Sequence, residues 1–140
     1  MSQRFTVFAH PFRIFFLSAA LMAAVLVPLW VYVLTHGVSA RLALPPLHWH
    51  QHEMLAAFLY PAIAGFLLTA VCNWTGTPPP ARRYLFLLWM VWLAGRLAMG
   101  FGQGFEEVAA ISDLAFMPLV ACFFGLKVWR AKQRRQLILV

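Results

Sequence analysis

The chain has 140 residues, of which 63% are hydrophobic and 11% charged, against roughly 45–50% apolar and about 25% charged in a soluble domain. That balance excludes an ordinary water-soluble fold and makes a bilayer the natural solvent, with thirteen Phe and six Trp as the large side chains that face lipid or pack between spans. The net charge of +7 does not point to nucleic acid, because the basic residues sit in short segments between long apolar runs and not along one amphipathic face.

A helix needs about 20 mostly apolar residues to cross roughly 30 Å of hydrocarbon, and four stretches qualify. The first runs from Ile14 to Leu34, after the segment His10-Pro11-Phe12-Arg13, in which His10 reads as a helix-start residue. It exceeds the core of about 7–15 residues found in signal peptides and contains Pro28, Trp30 and Tyr32, so it reads as a retained span. A Pro-Pro step at Pro45 and Pro46 leads to the second, Glu53 to Val71. The turn segment from Asn73 to Pro80 precedes the third, Tyr84 to Phe101, and a turn containing Gly100, Gly102 and Gly104 precedes the fourth, Val108 to Trp129. Backbone groups in lipid must be satisfied within their own segment, which selects helices over strands here.

The expected fold class is therefore all-α: a polytopic membrane protein, with residues 1–140 as a single membrane domain and a bundle of about four transmembrane helices. Pro28, Pro61 and Pro118 interrupt spans and permit kinks. Gly65 and Gly95 permit close helix packing. Cys72 and Cys122 read as small apolar residues and not as a disulfide scaffold. The chain ends Leu137-Ile138-Leu139-Val140, which resembles the first residues of a fifth span and suggests a piece of a longer multi-span protein.

Arg4, Arg13, Arg82, Arg83, Lys127, Arg130, Lys132, Arg134 and Arg135 fall on one side of this arrangement, and Arg41 alone on the other. The tendency of Lys and Arg to stay cytoplasmic then puts both termini inside. The Pro45 and Gly102 connections face outward.

Chemistry-bearing residues gather at that outer side. His48-Trp49-His50-Gln51-His52-Glu53-Met54 concentrates three imidazoles, a carboxylate and a thioether, and His36 closes the outer end of the first span. Imidazole suits zinc, copper and haem iron, and a thioether adds a soft ligand. On a continuous helix His48 and His52 share one face, while His50 and Glu53 lie nearly opposite. Either the helix starts after His50 and an extended run folds inward, or the two faces serve different sites. The plainer reading makes these histidines headgroup-level residues in an aromatic belt. Arg96 lies inside the third span, where a lone charge costs about 2.5–3.5 kcal/mol, and Asp113 is its natural partner. A pinning ion pair is the plain role, and a guanidinium fork for a haem propionate the functional one.

The segments His10-Pro11-Phe12-Arg13, His48-Trp49-His50-Gln51-His52-Glu53-Met54, Gly65-Phe66-Leu67-Leu68-Thr69-Ala70, Asn73-Trp74-Thr75-Gly76 and Ala94-Gly95-Arg96 together resemble the NnrS family. The resemblance implies a bacterial inner-membrane protein that binds haem and copper and serves the response to nitric oxide, with longer members carrying many more spans. It implies His48, His50, His52 and Glu53 as metal candidates and His48, His50, His52 and Arg96 as cofactor candidates. His10 is a further motif position, and no catalytic residue is assigned. The partners it implies are the lipid bilayer, nitric oxide, and further membrane subunits or the remainder of a longer chain, with no nucleic acid. The alternatives are a non-catalytic metal-binding assembly or transport module, or an inactive fragment. A reporter fused after Val140 is expected to be active only in the form that requires the cytoplasm, and strong activity of a periplasmic reporter there would overturn the orientation.

Overall fold

The computed structural model describes residues 7–37, 44–102 and 104–131. Arg4, Arg41, Lys132, Arg134, Arg135 and the terminal Leu137 to Val140 lie outside the described residues. After a 3-10 turn at Val7–Ala9 come α1 (Pro11–His36), α2 (Pro46–Thr75), α3 (Arg82–Phe101) and α4 (Glu106–Arg130). Among the described residues α1, α2 and α4 are long and apolar enough to cross a membrane. The third expected span, α3, is helical over 20 residues and carries the polar groups that tie the bundle together.

Proline fixes two of the helix starts. Pro11 occupies the first turn of α1 behind an extended His10, and Pro46 does the same for α2 behind Pro45. A missing N–H and a preset φ suit that position. His10 thus stands at the helix start as expected, though its side chain makes no capping bond. α2 begins seven residues before the expected apolar span, because the polar run from His48 to Glu53 is its first two turns.

Inside α2, Met54–Leu59 winds as a π-helix. The Tyr60 N–H returns to the Leu55 carbonyl, one residue further back than in an α-helix, so the Ala56 carbonyl loses its usual donor. Its next potential donor along the chain is Pro61, which has no N–H. The Trp92 indole of α3 fills the gap, donating from Nε1 to Ala56 O at 2.8 Å. A carbonyl orphaned by proline and π winding is therefore satisfied from a neighbouring helix.

α3 reaches every other helix in this way. Trp89 Nε1 donates to Ser18 Oγ of α1 at 3.0 Å, and Tyr84 donates its hydroxyl hydrogen to Leu119 O of α4 at 3.0 Å. Around these bonds the central core packs Phe15, Leu68, Leu85, Leu88, Trp92, Phe116 and Val120. Outward positions such as Leu34, Leu87, Ile111 and Leu114 are exposed, as an apolar surface in lipid requires.

The two expected glycine contacts are present. A Cβ at Gly65 would lie 3.0 Å from the Phe16 ring and 3.1 Å from Phe15 Cβ, and one at Gly95 would lie 2.8 Å from Asp113 Oδ1. Absence of a side chain lets α1 close on α2 and α4 close on α3. Both cysteines are free, Cys72 buried and Cys122 exposed.

Trp92→Phe keeps an aromatic ring in the core but removes the indole donor and strands the Ala56 carbonyl. It is expected to lower unfolding free energy in mixed detergent by about 1–3 kcal/mol, and unchanged stability would show that the indole bond does not hold α2 to α3.

Candidate functional site at the histidine-rich end

The helix ends place three ionisable side chains at one depth. Glu53 lies seven residues after Pro46, and Asp113 seven residues after Glu106, each roughly 10 Å down its helix at 1.5 Å per residue. Arg96 lies five residues before the end of α3, which runs the opposite way. All three therefore meet below the same end of the bundle.

Arg96 is 6% exposed, so its guanidinium has left water entirely. Its Nη1 donates to Glu53 Oε1 at 2.5 Å, and its Nη2 donates to Asp113 Oδ1. The Arg96–Asp113 pair expected from the sequence is present, and Glu53 is a second partner. His52 stands between the two carboxylates. Its Nδ1 lies 3.1 Å from Glu53 Oε1, and its Nε2 lies 3.2 Å from Asp113 Oδ2. The second contact has ion-pair distance without hydrogen-bond alignment, which leaves Asp113 Oδ2 without a hydrogen bond. The result is a lattice in which one guanidinium and one imidazole face two carboxylates contributed by α2 and α4.

Such a lattice tolerates burial because each charge has a partner within reach. Gly95 makes room for it, since the Asp113 carboxylate occupies the space a side chain on the neighbouring residue of α3 would fill. Leu26, Ala57, Ala98, Met99 and Ala109 close the same end with apolar surface, together with the buried Trp49.

The other histidines are placed differently. His50 turns toward α1 and stacks on Trp30, with ring centroids 4.1 Å apart and planes 5° from parallel. Its Nδ1 is buried without a hydrogen-bond partner among the described residues, as are Trp49 Nε1 and Arg96 Nε. His48 is exposed and lines a cleft of about 760 Å³ with Trp30, Val33, Gly37, Pro45 and Pro46. His36, at the end of α1, stacks on Tyr32 and shares a hydrogen bond with the Thr35 hydroxyl.

Of the two arrangements open for the histidine run, the continuous helix is the one present. His48 and His52 occupy one face of α2 one turn apart, with His48 in the rim cleft and His52 directed at Glu53 and Asp113. Among the described residues no group of three or more His, Cys, Asp or Glu side chains is arranged to hold a metal ion.

Glu53 as a partner of Arg96 was legible in principle. Taking Pro46 as the first residue of α2 puts Glu53 and Asp113 at equal offsets from their helix starts, and that equality was the available signal. The Trp30–His50 stack had no such signal, because it depends on how α1 lies against α2.

Helices able to cross a membrane, with paired charges held below one end beside a run of histidines, define an integral membrane protein that keeps polar chemistry inside apolar surroundings. The chain belongs to the NnrS family: the family described as "NnrS protein" matches residues 6–140. No curated protein and no solved structure matches it.

Arg96→Gln leaves two buried carboxylates with only His52 between them, and is expected to cost about 3–5 kcal/mol of stability. Arg96→Lys keeps the charge but cannot present the same two-pronged donor, so partial recovery is expected in thermal unfolding. Wild-type stability of Arg96→Gln would show that the lattice does not hold the bundle.

Proposed function

We propose that this protein acts at the bacterial inner membrane as a haem- and copper-binding member of the nitric oxide response, with the histidine-rich end facing the periplasm. Membership of the NnrS family supports the nitric oxide assignment, and the distribution of basic residues supports the orientation.

The observation that carries the cofactor assignment is His50. A ring nitrogen buried beside Trp30 with no partner costs free energy unless something occupies its lone pair or accepts its hydrogen. A haem would ask the protein for only one or two side-chain ligands. Two imidazoles bordering the same Trp30 suit that demand better than they suit a bare ion, which takes three or four protein donors. His50 and His48 would hold the group, and the Trp30 ring would pack against it. When bound, haem iron or copper would supply nitric oxide binding and redox chemistry.

The remaining candidates act through position. Glu53 and Arg96 direct their charged atoms at each other, and His52 directs both ring nitrogens at carboxylates. They hold the first turns of α2 in place, and so aim His50 at α1. Gln51, on the same turns, is exposed and takes no part in the lattice.

The test is an optical titration of the purified full chain with haem, with and without nitric oxide. His50→Ala is expected to abolish the Soret band and its shift with nitric oxide, and His48→Ala to weaken it. His52→Ala should retain the band while lowering the unfolding temperature. A Soret band unaltered in both His50→Ala and His48→Ala would overturn the assignment, and copper content lost only in His52→Ala would move the metal to the lattice.

A further inference from the structure

The four acidic side chains of the chain are Glu53, Glu106, Glu107 and Asp113, and all of them lie in the half of the bundle that holds His36, His48, His50 and His52. The opposite end carries cations with no acidic residue to answer them. Arg82 and Arg83 open α3, and Lys127 and Arg130 close α4. The two helices run antiparallel and pack along each other, so these four positions share one edge.

The edge is built and not merely composed. Lys127 Nζ donates to the Pro78 carbonyl at 3.2 Å and lies 5.4 Å from the centre of the Phe123 ring. Phe123 stacks on Tyr84 at 5.0 Å, and Tyr84 is fixed by its bond to Leu119 O. Tyr84 directly follows Arg83 in the first turn of α3. Lys127 is thereby held beside the start of α3, while Arg82, Arg83 and Arg130 remain exposed. Cations are also disfavoured at a helix N-terminus, so Arg82 and Arg83 give α3 no help in folding.

On the adjoining face of α4 a groove of about 460 Å³ runs between α2 and α4, lined by Ile63, Leu67, Met117, Pro118, Val120 and Phe124. Phe124 lies one turn above Lys127. Cations at headgroup level, with an apolar groove that begins one turn of α4 away at Phe124, match a molecule with an anionic head and hydrocarbon chains.

We propose that the edge formed by Arg82, Arg83, Lys127 and Arg130 is a binding site for an anionic phospholipid, with its phosphate among the cations and an acyl chain in the α2–α4 groove. Basic pockets between membrane helices bind such headgroups, at roughly 1 kcal/mol for each cation near the surface. The groove favours a lipid over an acidic soluble protein, which would meet the cations but leave the apolar channel empty.

The experiment uses the full chain in detergent, titrated with short-chain phosphatidylglycerol or phosphatidylcholine and read by native mass spectrometry. Phosphatidylglycerol is expected to bind at least tenfold more tightly than phosphatidylcholine. Arg82→Gln/Arg83→Gln/Lys127→Gln is expected to weaken phosphatidylglycerol binding about a hundredfold, roughly fivefold per cation. Arg82→Lys/Arg83→Lys retains the charges and should bind within a few-fold of wild type, which separates charge loss from misfolding. Arg13→Gln, at the start of α1, should have little effect. Equal binding of the two lipids would overturn the proposal. So would equal losses from Arg13→Gln and the triple substitution, or an acidic peptide displacing the lipid at equal concentration.

Discussion

A guanidinium buried in apolar surroundings demands partners, and the architecture of this bundle follows from meeting that demand. Arg96 is nearly inaccessible, and hydrocarbon offers it no water to fall back on. Glu53 must come from α2 and Asp113 from α4 at one depth, which fixes how far each helix slides along α3. His52 then spans both carboxylates. Buried ion pairs of this kind add little net stability over well-packed apolar residues, but losing one partner is costly. Their effect here is to select one register of four helices whose apolar surfaces alone would permit several.

The π-wound segment of α2 serves the same register from the other side. The wider π turn between Met54 and Leu59 rotates the histidine-bearing turns relative to the helix below, and Trp92 covers the carbonyl this exposes. Trp92 and Arg96 are four residues apart on one face of α3, and both grip α2. The histidine run is thus clamped at Glu53 and Ala56. His50 follows from that clamp, directed at Trp30 of α1 by a helix that cannot rotate freely.

Much of this was legible in the sequence. The apolar runs marked four helices, Gly65 and Gly95 marked the close approaches, and Arg96 with Asp113 marked the central pair, because a charge in hydrocarbon must be answered. The start of α2 was harder to place. Its first two turns are polar, so hydropathy put the span at Glu53, whereas Pro46 begins the helix. That displacement hid the equal depth of Glu53 and Asp113. The fate of the histidines was hidden for a different reason: periodicity gives the face each occupies, whereas the partners they meet, Asp113 of α4 for His52 and Trp30 of α1 for His50, depend on how the helices lie against each other. The π winding likewise follows from Pro61 acting together with Trp92 of another helix.

The histidine-rich end therefore divides into a positioning layer, made of His52, Glu53, Arg96 and Asp113, and a layer nearer the rim, where His48 and His50 border Trp30. A double-mutant cycle between Glu53→Gln and Asp113→Asn, read as unfolding free energy in mixed detergent, tests the positioning layer most directly. The two residues sit on different helices and meet through Arg96 and His52, so a coupling energy of about 0.5–3 kcal/mol is expected between them. Additive effects, with no coupling beyond measurement error, would contradict the claim that one shared ionic lattice sets the register of the bundle.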